Sequence, residues 1–177
     1  GQYNTAVGAR ALDANTTAGN NTAVGRSSLS ANTTGSSNTA VGKDALLTNT
    51  TGQQNCALGV NALEANTDGD DNTAIGKDCL ANNTTANFNT AIGTRALNGN
   101  TTGSGSCAIG EDALLSATTG TQNVAMGQSA LRLHTTGSYN IAIGANTLAN
   151  QTTDSNNVAV GHGALNANTQ TNNTAVG

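Results

Sequence analysis

The phrase Asn-Thr-Ala-(Val/Ile)-Gly, or a near copy of it, occurs eleven times in 177 residues, starting at Asn4, Asn21, Asn38, Asn55, Asn72, Asn89, Ser106, Asn123, Asn140, Asn157 and Asn173. Nine of the steps are 17 residues long and the last is 16. A unit this short cannot bury an apolar face alone, so a chain that repeats it must stack each unit on copies of itself. The spacing predicts a rod of about ten coils, with residues 1–177 forming a single repeat domain that is a segment of a longer fibre.

Composition by itself argues for disorder, since only 2% of residues are aromatic and 9% charged. The period overrides it, because disordered low-complexity tracts do not keep apolar residues in phase over ten units. The net charge of −4 and six basic residues that never cluster leave no electrostatic footprint for nucleic acid or an anionic membrane. No apolar run is long enough to insert into a bilayer.

With the leading Asn as position one, position three is Ala and position five is Gly in all eleven copies. Position two is Thr, Cys56, Cys107, Val124, Ile141 or Val158, and position four is Val, Ile, Leu58 or Met126. These two share a strand face, and the exchange set reads as a core; the Ala between them predicts a strand covered on both faces. Position eight is small, position nine is Leu from Leu12 to Leu165, and a turn follows with Asn at position twelve and Thr at thirteen. Recurring Asn at one and twelve predicts stacked amide ladders. Two Gly-containing turns leave no room for an amphipathic helix, so each unit reads as one coil of an all-β parallel β-solenoid with two short strands and two turns. Burial per coil is small against the entropy of ordering seventeen residues, which predicts association of chains, three in parallel being the favoured arrangement.

The phrases NTAVGARAL, NTAIGKDCL and NIAIGANTL resemble the head repeats of YadA-type trimeric autotransporter adhesins, and the longer unit resembles repeats of phage tail fibres and other bacterial surface fibres. The resemblance covers the whole chain. It implies a homotrimeric, left-handed β-roll serving as a rigid extracellular stalk or head, on a cell surface or as a virion fibre.

The sequence offers no catalytic, cofactor or metal site. His134 at position twelve and His162 at position six read as solvated surface residues, and no Ser has a phased His or carboxylate partner. The acidic run Asn66-Thr67-Asp68-Gly69-Asp70-Asp71 lacks the closing Glu of an EF-hand and reads as a solvated turn. Cys56, Cys79 and Cys107 read as small buried hydrophobes. Asn-x-Thr sequons at Asn15, Asn20, Asn32, Asn49, Asn82, Asn83, Asn100, Asn150 and Asn172 would be glycan acceptors in a eukaryotic secreted chain, but the repeat itself generates most of them and they read as structural. The expectation is therefore a structural or adhesive fibre segment and not an enzyme. Its partners would be copies of itself, side by side or end to end, and a host surface or glycan. The alternative is an ice-binding solenoid, which needs two outward Thr rows; position thirteen, never varying, reads as inward, and Asp68 interrupts position fourteen.

Overall fold

A computed structural model describes residues 1–167 and 169–177. Its regular structure is eleven three-residue strands: β1 Thr5–Val7, β2 Thr22–Val24, β3 Thr39–Val41, β4 Cys56–Leu58, β5 Thr73–Ile75, β6 Thr90–Ile92, β7 Cys107–Ile109, β8 Val124–Met126, β9 Ile141–Ile143, β10 Val158–Val160 and β11 Thr174–Val176. They form one parallel sheet in chain order. Register is strict, with Ala6 opposite Ala23, Ala23 opposite Ala40, and Val158 opposite Thr174 across the 16-residue step. The fold is thus a parallel β-solenoid with one coil per sequence unit, and equivalent side chains sit on one another.

Each coil contains one strand, where two were expected. The opposite wall is made of turns because positions seven and nine have left-handed backbone, as in Arg10 (φ 61°) and Leu12 (φ 53°), or Asp78 (φ 53°) and Leu80 (φ 51°). Left-handed φ in Leu costs roughly 1–2 kcal/mol. Burial offsets it: Leu29 through Leu148 are fully buried, each contributing about 1.5–3 kcal/mol. Turn bonds such as Asn83 N–H to Leu80 O (3.2 Å) and inter-coil bonds such as Leu80 N–H to Ala96 O (2.9 Å) hold the wall in place.

The interior also differs from expectation. The fully buried strand residue is the Ala of position three, from Ala23 to Ala159, while positions two and four are half-buried or exposed. A coil this narrow has room between its walls for one large side chain. Leu of position nine supplies it, and only small side chains fit opposite, Ala at position three and Ala, Ser28, Cys79 or Thr147 at position eight. The branched residues therefore point outward, and the strand is covered on one face only. Gly of position five is required by close approach as well as by φ: in Gly25 (φ 134°) an added Cβ would lie 2.4 Å from Gly42 O.

Two carboxamide columns complete the interior. At position twelve, Asn49 Nδ2 donates to Asn32 Oδ1 (2.9 Å), Asn66 to Asn49 (2.8 Å) and Asn83 to Asn66 (2.8 Å). At position one, the Asn38 backbone N–H donates to Asn21 Oδ1 (2.8 Å) and its Nδ2 to Gly52 O (2.8 Å). These are the amide ladders the repeat predicted, and through the first six coils they pair buried carboxamides with one another and with the turn backbone.

Candidate functional site

The outward strand face runs the length of the sheet. Positions two and four lie two residues apart on a strand, so their side chains share one side and form two parallel rows along the sheet. Leu58 is 46% exposed, Ile92 36%, Met126 39% and Ile143 39%. Ten strand spacings of about 4.8 Å give a stripe roughly 48 Å long. At about 7–10 Å wide its area is on the order of 400 Å², the size at which an apolar patch marks an interaction surface. Thr22, Thr39, Thr73 and Thr90 place methyl-bearing hydroxyls in the position-two row, so the stripe grades from mixed in the first coils to wholly aliphatic at Val124, Ile141 and Val158.

Charged residues border the stripe on the side that follows the strand. Arg26 Nη2 and Lys43 Nζ both reach Asp44 Oδ2 (3.2 and 3.0 Å), Lys77 pairs with Asp78 (3.4 Å), and Arg95 forms a two-pronged pair with Asp112 (2.8 and 2.9 Å). The basic partners are about half exposed or more, so each pair is worth at most about 1 kcal/mol and acts mainly to keep this edge polar. Tyr3, Phe88 and Tyr139 at position seventeen are exposed on the other side of the strand. They stand five and three coils apart and do not form a continuous platform for a ligand.

The structure relocates several residues singled out in the sequence. His134, expected in solvent, is fully buried, because position twelve is an interior column. Its Nε2 lies 2.7 Å from Gly137 O; a carbonyl only accepts, so Nε2 carries the proton. Burial lowers its pKa below the usual histidine value, opposed by the Gly137 hydrogen bond and by the charge of Asp154. His162 is exposed, and the two histidines are not brought together. Cys79 is buried and its thiol is pushed up to about 12 by desolvation, whereas Cys56 and Cys107 sit half-buried on the outward stripe, not inside. Burial also raises the Cys107 thiol.

In the acidic run, Asp68 accepts from Thr51 Oγ1 (2.7 Å) and Asp70 from the Gln53 N–H (2.7 Å), tying that turn to the preceding coil. Among the described residues no group of three or more His, Cys, Asp or Glu side chains is placed to hold a metal ion, and no helix is long and apolar enough to cross a membrane. Thr of position thirteen is half-buried at the surface, not inward: Thr50, Thr67 and Thr84 donate their hydroxyls to the carbonyls of Thr67, Thr84 and Thr101 (3.2, 3.1 and 3.0 Å). Thr of position fourteen, beside it, is exposed.

Sequence reasoning missed the outward stripe. The signal was present as an invariant Ala flanked by variable large residues: the position that tolerates no change is the one inside, and the exchanging positions face out. Comparison with models of known families, with curated proteins and with solved structures finds no match.

Proposed function

We propose that this chain is a structural or adhesive fibre segment, a stiff extracellular rod that associates through its outward strand face with parallel copies of itself, three copies closing around a common axis. The reading rests on one observation: a large apolar side chain occupies position four over the length of the sheet, joined at position two by Val124, Ile141 and Val158, while the strand's interior partner is only Ala. A single chain leaves these side chains half wet, and a second and third copy would bury them along about 48 Å. A three-fold arrangement and left-handed coiling follow the resemblance to the adhesin head repeats, as does exposure on a cell surface or virion. No reaction is assigned to it; its work is length, stiffness and a repeated surface toward a host structure or glycan.

Light scattering on the purified chain at micromolar concentration tests this, with three chain masses expected and one chain mass refuting it. The double variant Ile75→Asp, Ile92→Asp should abolish association while leaving the β-type circular dichroism intact, since both side chains point out of the coil. Loss of the β signal instead would place them inside.

A second reading, ice binding, is favoured by the two adjacent Thr rows at the surface, positions thirteen and fourteen. It is weakened by the engagement of the position-thirteen hydroxyls with backbone and by Asp68 in the other row. Thermal hysteresis in the purified chain would establish it in place of the fibre.

A further inference from the structure

Four buried side-chain atoms meet no hydrogen-bonding partner among the described residues: Asn100 Oδ1, His134 Nδ1, and Oε1 and Nε2 of Gln151. All belong to position twelve, in coils that follow one another from 89–105 to 140–156. The break begins at residues 106–122, where the column carries Ala117 in place of Asn.

In each of the six preceding coils the carbonyl of position fifteen accepts two carboxamide N–H bonds, from position one and from position twelve. Gly103 O, for example, takes Asn89 Nδ2 and Asn100 Nδ2, both at 2.9 Å. In the seventh coil both donors are gone at once, replaced by Ser106 and Ala117, and Gly120 O accepts from neither. The same change removes the group that would donate to Asn100 Oδ1. These two oxygens face one small volume, since a Cβ built on Gly103 would lie 2.3 Å from Gly120 O and 2.7 Å from Asn100 Oδ1. Ser106 Oγ stands at the root of the missing position-one carboxamide and accepts the Asn123 N–H (3.2 Å), which leaves its own proton to donate.

The coil does not close over the gap. Cys107 N–H to Asn123 O (2.8 Å), Thr101 N–H to Thr118 O (2.9 Å) and Thr118 N–H to Thr135 O (2.9 Å) hold the neighbouring coils at the ordinary spacing. Two trimmed carboxamides thus leave room next to two acceptors and one donor. A buried water needs a share of about 30 Å³ and two to four polar partners.

We propose that the seventh coil is a built internal site for a small neutral hydrogen-bond donor, water itself, that donates to Asn100 Oδ1 and Gly120 O and accepts from Ser106 Oγ. It takes over the bonds that carboxamides make in the six preceding coils, and it satisfies Asn100 Oδ1 and Gly120 O where the column is interrupted. The site lies inside the coil and does not depend on how rods associate.

A crystal structure at a resolution that shows ordered solvent tests the proposal. The expected result is a water peak within hydrogen-bonding distance of both oxygens in the wild type, lost in Ala117→Asn, whose carboxamide would occupy the same place. A dry site overturns the proposal, and so does an anomalous signal there after a rubidium soak, which would identify a monovalent cation. Should Ala117→Asn fail to fold, a long-lived water cross-relaxing with the Thr118 and Gly120 amides of the wild type in solution decides the question, its absence counting against the site.

Discussion

Replacing Asn83 by Ala tests whether the carboxamide column holds the coils together or merely fills them. Asn83 is fully buried. Its Nδ2 donates to Asn66 Oδ1 (2.8 Å) and Ala86 O (3.1 Å), and its Oδ1 accepts from Asn100 Nδ2 (2.9 Å). Truncation removes all three bonds, with unequal consequences. Ala86 O keeps Asn72 Nδ2 (2.8 Å) and Asn100 Nδ2 keeps Gly103 O (2.9 Å), so each of these losses costs about 0.5–1.5 kcal/mol. Asn66 Oδ1 has no other donor and becomes a buried orphan, at about 1–3 kcal/mol. The expected loss is therefore roughly 2–6 kcal/mol, read from urea unfolding followed by circular dichroism at a fixed protein concentration. Amide exchange should rise first in the coils of residues 55–105. Asn83→Asp keeps the shape but has acceptors in place of donors, and its carboxylate would face Asn66 Oδ1 in a dry column, so it should cost more than Ala at neutral pH and recover as the pH falls. A loss below about 1 kcal/mol for Ala, or an Asp variant milder than Ala at pH 7, would refute the reasoning.

Other outcomes follow from the same geometry. Ala74→Val should destabilise the fold by about 1–3 kcal/mol in urea unfolding, because position three meets the Leu wall, whereas Ile75→Val next to it should shift the midpoint little in the unassociated chain. His134 has a lowered pKa when folded, so the unfolded chain binds more protons; stability should be intact above the unfolded value of about 6.5 and fall as the pH drops below it. His134→Asn should remove that part of the acid sensitivity, and an unchanged difference between pH 7.5 and pH 5 would disprove the burial. In the folded, unassociated chain a maleimide should modify Cys56 and Cys107 and spare Cys79 until denaturant is added, and association should protect the first two as well.

The period carried most of the architecture. Eleven copies of Gly at position five and Ala at position three fix the coil length and the register, and the pairing of Ala23 with Ala40 is what a 17-residue repeat demands. The side that each strand presents was not legible in the same way, because Val, Ile and Leu at position four suit a core or an interface equally well. Counting the space inside the coil decides it, and that count depends on the left-handed backbone of Leu80 and its equivalents, which no propensity scale assigns to leucine. His134 illustrates a related limit. As a single residue it looks like a surface histidine, and only its place in a column of buried Asn shows what surrounds it.

The position-twelve column has a direction. Asn32, Asn49, Asn66 and Asn83 each donate toward the preceding coil and accept from the following one, so their dipoles add and each bond polarises the next. Any cut across that run exposes spare amide protons on one face and spare oxygens on the other. Two such faces fit together head to tail and repel when like meets like, so rods joined end to end through this column would all run the same way.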